Sequence, residues 1–106
     1  MAIIALISVM AVLFASCNAE TYQKRLEEAG YIVYNYSTDD IQLDGAEWGL
    51  VAMNERTGDA VTIVKFTSLS SAKDAEADAK STSGMTVYRQ SMLVMVGTEQ
   101  AIADAK

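Results

Sequence analysis

The stretch Trp48-Gly-Leu-Val-Ala-Met-Asn54, Glu55-Arg-Thr-Gly58, Asp59-Ala-Val-Thr-Ile-Val-Lys-Phe66 decides the fold. Two runs rich in β-branched and aromatic residues flank a short polar segment that ends in glycine. Such runs suit the pleated, half-buried surface of a strand. Gly58 can take the left-handed conformation that closes a hairpin loop. The stretch therefore predicts an antiparallel strand pair, and the flanking elements must build on it.

Upstream, Tyr31-Ile-Val-Tyr-Asn-Tyr36 reads as a further strand. Alternation puts Ile32, Tyr34 and Tyr36 on one of its faces and Tyr31 and Val33 on the other. One row belongs to the core, and the other faces solvent or lies under a helix. Before it, Glu20 to Ala29 carries Tyr22, Leu26 and Ala29 at helical spacing. Glu20 sits in the first turn, where negative charge suits the helix dipole, and Gly30 in the position that ends helices.

Downstream, Ser68 can cap an Ala-rich helix that reaches Lys80. Its stripe of Leu69, Ala72, Ala75 and Ala79 is thin and should lie close to the sheet. Met85 to Arg89 and Met92 to Val96 predict a second hairpin, tightly turned at Gln90-Ser91. Thr98 caps a last helix, Glu99 to Ala105. The order is α-β-β-β-α-β-β-α. It lacks a regular βαβ alternation, so the expectation is an α+β fold, a mostly antiparallel sheet of about five strands with helices on one face. Gly30-Tyr-Ile-Val-Tyr34 and Gly84-Met-Thr-Val-Tyr88 echo one another after two of the helices, which is the pattern of a duplicated helix-plus-strands unit. Any helix-Gly-strand junction also looks like this.

The N-terminus predicts a location. An apolar run from Ala2 to Ala15, relieved only by Ser8, closes on Leu13-Phe-Ala-Ser-Cys17. About 15 residues at 1.5 Å each span roughly 23 Å, short of the ~30 Å hydrocarbon core of a bilayer. The layout is that of a lipoprotein signal: an apolar region, a small-residue cleavage box and a cysteine that receives lipid. The expectation is a signal peptide over residues 1–16, lipid on Cys17, and one small domain over 17–106, anchored on the extracytoplasmic face of the cell membrane. A plain secretory signal, cleaved near Cys17 or after Ala19, and an uncleaved anchor are the alternatives. Two features run against the lipoprotein pattern: no Lys or Arg precedes the apolar run, and Phe14 stands where Leu is usual.

Composition narrows the function. Cys17 is the sole cysteine, so no intramolecular disulfide can form. The net charge is −6, without a basic cluster, which disfavours nucleic acid and anionic lipid as partners. The expected partners are the membrane, through lipid on Cys17, and an envelope protein or small ligand.

Chemistry is sparse. The chain has no histidine, which removes the commonest general base, the Ser-His and Cys-His nucleophile pairs and most zinc sites. Asp40, Gln42, Asp44 and Gly45 match the start of a calcium loop, but Trp48 and Val51 then stand where ligands are required. No catalytic residue, metal or cofactor is expected. The leading expectation is a non-catalytic binding or envelope accessory module. A small hydrolase using carboxylates or hydroxyls is the rival, and a passive envelope or stress protein is the third reading. The candidate contact residues are Tyr34, Tyr36 and Trp48, beside the loop from Ser37 to Glu47. Trp48 is either an interface anchor or ordinary core.

Three segments carry a resemblance. The Cys17 box, the opening Tyr22-Gln-Lys-Arg-Leu-Glu-Glu-Ala-Gly30 and the closing Val94-Met-Val-Gly-Thr98-Glu-Gln-Ala-Ile102 look like those of small lipoproteins of low-GC Gram-positive bacteria. The resemblance covers most of the chain and rests on structural motifs. It implies fold and lipid-anchored location, and no activity.

Overall fold

The computed structural model describes residues 19–36 and 43–106. The predicted signal, Cys17, and positions 37–42 with Asp39, Asp40 and Gln42 lie outside the described residues. The elements are α1 (Ala19–Glu28), β1 (Ile32–Tyr36), β2 (Ala46–Met53), β3 (Ala60–Phe66), α2 (Leu69–Thr82), β4 (Thr86–Gln90), β5 (Leu93–Gly97) and α3 (Glu99–Ala105). The fold is α+β in the order read from the sequence. Its sheet has five strands in the order β1-β2-β3-β5-β4, antiparallel throughout. No helix among the described residues is long and apolar enough to cross a membrane.

Local chemistry sets the element ends. Gly30, at φ 97°, closes α1 with Tyr31 N–H donating to the Leu26 carbonyl and Gly30 N–H to that of Glu27, both at 3.0 Å. This crossed pair satisfies carbonyls that the helix end would otherwise orphan. Gly58, at φ 81°, closes the β2–β3 loop, and Asn54 Oδ1 accepts from the Arg56 and Thr57 amides. The Ser68 hydroxyl caps α2 by accepting from Ser71 N–H, and Thr98 caps α3 by accepting from Ala101 N–H. The second hairpin turns at Ser91-Met92, one residue later than predicted, because Gln90 pairs with Leu93 and Ser91 itself takes positive φ.

The helices do not share one face, and this corrects the sequence reading. Leu26 of α1 and Ala101, Ile102 and Ala105 of α3 pack on Leu50, Ala52, Val61, Ile63, Leu93 and Met95. Ala72 of α2 packs on the opposite face, against Ala46, Val64, Phe66 and Val94. The reason lies in the central strands. Val61, Ile63, Leu93 and Met95 are buried on one side of the central strands and Val64, Phe66 and Val94 on the other, and a strand buried on both faces needs cover on both. Of the predicted α2 stripe, Ala72 is buried while Leu69 is exposed.

The echo between residues 30–34 and 84–88 has a structural counterpart. The strand order maps onto itself by a two-fold along β3, which exchanges β1 with β4, β2 with β5, and one face with the other. Val33 packs on the α1 side and Val87 on the α2 side. Asn35 Nδ2 donates to Gln23 of α1 at 2.6 Å, while Arg89 Nε donates to Glu76 of α2 at 2.9 Å. Gly30 and Gly84 both take positive φ. The Glu76 carboxyl is held below its usual range by that Arg89 hydrogen bond first, with Lys80 adding to it.

The end of the chain is fastened from the other side. The buried Tyr31 hydroxyl donates to Asp104 Oδ2 at 2.8 Å, and Arg25 Nη1 donates to the Ala105 carbonyl at 2.8 Å. Burial first, then this hydrogen bond to a carboxylate, push the Tyr31 hydroxyl well above its ordinary value of 10. Unfolded chains ionise this group near pH 10, before the folded one does. Its contribution is thus complete below about pH 10 and drains away as pH rises beyond that. Tyr31→Phe should cost about 1–1.5 kcal/mol at pH 7 and flatten the alkaline fall. Urea midpoints from pH 8 to 11 check this; parallel curves for the two proteins would contradict it.

Candidate functional site

β1 is an edge strand, and its two faces have different fates. Val33 turns toward the α1 core. Ile32, Tyr34 and Tyr36 turn to the opposite face, where their strand partners are Met53, Val51 and Gly49. α2 covers the β3–β5–β4 part of that face and the Ala46 end of β2, and the described elements leave the Val51–Met53 end of β2 and β1 uncovered. The uncovered side chains are correspondingly open: Ile32 is 43% exposed, Tyr34 58%, Tyr36 42% and Met53 48%. Large apolar side chains on strands normally face a partner layer, and here none of the described elements supplies one.

The patch continues toward α2. Thr62, exposed on β3, separates it from an apolar pocket of about 170 Å³ lined by Leu43, Val64, Phe66, Ala79, Val94 and Val96. Its polar neighbours are acidic. Asp78 lines that pocket, and Asp44 and Asp74 line the adjoining cleft. Neither lining includes a lysine or arginine. The exposed apolar area is on the order of 400 Å², within the roughly 300–600 Å² of the largest patches on monomeric proteins.

Trp48 does not belong to this site. It lies on the α1 face, half-buried against the larger core, with its ring 6.0 Å from that of Tyr22 and tilted by 38°. Arg25 in turn lies 5.6 Å from the Tyr22 ring centre. The β-bulge between Ala46 and Trp48 sets the facing. Ala46 before it packs under α2, and Trp48 after it packs under α1. Of the three sequence candidates, Tyr34 and Tyr36 come together and Trp48 sits across the sheet. Ile32, Met53 and Leu43 join the patch without having been singled out. Trp48→Ala should lower stability by roughly 2–3 kcal/mol, below the range for a fully buried tryptophan because the ring is only half-buried. The tyrosine face should be unaffected, as an unchanged NMR spectrum for residues 32–36 would show.

No arrangement for catalysis stands out among the described residues. No group of three or more Asp, Glu or Cys side chains converges there in a way that could hold a metal ion. A groove between α1 and β1 is lined by Glu20, Gln23, Lys24, Glu27, Asn35 and Tyr36, and Gln23 in it accepts from Asn35 and donates to Glu27. The arrangement that could do something is therefore an exposed aromatic and aliphatic sheet face with acidic flanks. No family model, curated protein or solved structure matches the chain.

Proposed function

We propose that the protein is a non-catalytic binding module, held by lipid on Cys17 to the extracytoplasmic face of the cell membrane, whose contact surface is the sheet face of Ile32, Tyr34, Tyr36 and Met53. The observation that carries the reading is the uncovered half of the sheet. Exposed apolar side chains cost solubility and invite association. Tyrosines offer large, rigid contact area with a polar tip, which suits interfaces. The signal-like N-terminus supports the location. The partner is an envelope protein or a small ligand.

The test separates binding from folding. The double variant Tyr34→Ser, Tyr36→Ser removes exposed rings only, so its stability should stay within about 1 kcal/mol of wild type. Retention of the chain in partner complexes recovered from membranes should be lost. Normal retention by a folded double variant would sink the reading. Intact mass of membrane-derived protein checks the anchor, since diacylglycerol should be found on Cys17 after loss of residues 1–16.

A further inference from the structure

Resting on that reading of the tyrosine face, we infer that its occupant is a short amphipathic helix of a partner protein, with a stripe of small apolar residues and a lysine or arginine at one end. The internal two-fold points there. It sets Tyr34 in correspondence with Tyr88, on opposite faces of the sheet. On the Tyr88 side the chain supplies its own cover. There α3 lies against β3 and β5 and buries Ala101, Ile102 and Ala105. Just past its end, the Lys106 ammonium stands 4.0 Å from the centre of the Tyr88 ring. An ammonium over a tyrosine face is attracted by the ring quadrupole.

The corresponding ground on the other face runs over β3 and β2, with Tyr34 at its outer margin. No described helix lies on it. Its floor is Val51, Thr62 and Met53, its margin is β1, and the apolar pocket under α2 adjoins it. The half of the sheet that the C-terminal helix fills on one side is thus left uncovered on the other by the described residues. Helix-in-groove recognition uses this geometry, an apolar helix stripe laid into a hydrophobic trough.

Charge selects the partner's polar side. Asp78 lines the pocket that adjoins the open ground, Asp44 and Asp74 line the cleft beyond it, and the chain carries a net −6. A basic helix complements that field and is steered by it. A second copy of the chain fits less well. It brings the same net negative charge to a face that is already acidic on its α2 side, so like charges would meet across the interface.

The probe is a hydrocarbon-stapled helical peptide with an Ala-Ile-Ala stripe, a lysine at its C-terminal end and further lysines on its other face, titrated into the ¹⁵N-labelled full chain in micelles. Shifts should concentrate at Ile32, Tyr34, Met53 and Thr62 and spare Thr86 to Gln90. A peptide with glutamates in place of the lysines should bind at least tenfold more weakly. Tyr34→Ser, confirmed folded by its circular dichroism, should weaken the lysine peptide at least tenfold. Equal binding of the two peptides, or shifts at Thr86 to Gln90 instead, would overturn the inference. So would concentration-dependent dimerisation abolished by Tyr34→Ser, or a preference for an extended peptide along β1. Those last two outcomes would leave the tyrosine face standing as a contact surface. Insensitivity of every interaction to Tyr34→Ser would remove the face itself.

Discussion

Phe66→Ala should destabilise the folded chain by about 3–5 kcal/mol, the range for truncating a buried aromatic. Phe66 is 2% exposed and is the largest side chain among the described residues of the smaller core, with Ala46, Val64, Ala72 and Val94 around it. The helix above it offers mostly alanines, which cannot reach down to fill the space. A cavity left there stays open, and unfilled cavities carry the larger penalties. α2 would lose its main purchase on the sheet, retaining Ala72 against Ala46, Val64 and Val94 and the Arg89–Glu76 hydrogen bond. Total stability for a domain of this size is only about 5–15 kcal/mol, so the variant should sit near its unfolding midpoint under mild conditions. Urea titration of the full chain, followed by circular dichroism, measures the loss. A cost under 1 kcal/mol would mean that α2 is not held by this core.

The second large effect comes from a single methyl group. Replacing glycine with alanine usually helps a strand, by roughly 0.5–1 kcal/mol. Gly97→Ala should do the opposite, costing about 3 kcal/mol. A Cβ at this position would run into the carbonyl oxygen of Ala60 and come within 2.7 Å of Val61 Cα. Both are backbone atoms, so no rotamer change relieves the contact. The close approach is clamped from next door: Thr98 N–H donates to the Ala60 carbonyl at 2.9 Å, and Ala60 N–H donates to Thr98 Oγ1 at 3.3 Å. Relief would require β5 to part from β3 and release the cap of α3. Gly58→Ala is a useful control, because a Cβ there meets nothing within 4 Å and only the positive φ opposes it. If Gly97→Ala proves no worse than Gly58→Ala, the packing of β3 on β5 is looser than described.

The contrast between those two glycines shows what was legible in the sequence. Gly30 and Gly58 announce themselves, because each follows a run of one periodicity and precedes another. Gly97 does not, since its reason is a neighbouring strand 37 residues away in the chain. Strand existence and order were readable from β-branched runs and from the missing βαβ alternation. The distribution of helices between faces was misread, although Ile63-Val64 and Leu93 to Val96 carried the signal in being apolar without alternation. Tyr34 and Tyr36 were identifiable as sharing a row. Which row of β1 meets water was not, because Ile32, Tyr34 and Tyr36 are as apolar as Tyr31 and Val33. That choice depends on α1 lying on one side and α2 stopping short on the other. Trp48 reads from residue type alone as either an interface anchor or core; the bulge before it, invisible in composition, turns it toward α1 and the larger core.

The central claim is that the open half of the sheet is a contact surface. Site-specific photocrosslinking in native membranes tests it most directly. p-Benzoylphenylalanine placed at Tyr34 lies within that surface, and at Thr86 it sits on an exposed edge residue at the far side of the sheet. Irradiation should yield discrete adducts from position 34 and none of the same mass from position 86. Identical adducts from both positions, or none from position 34 in folded, correctly localised protein, would contradict the account.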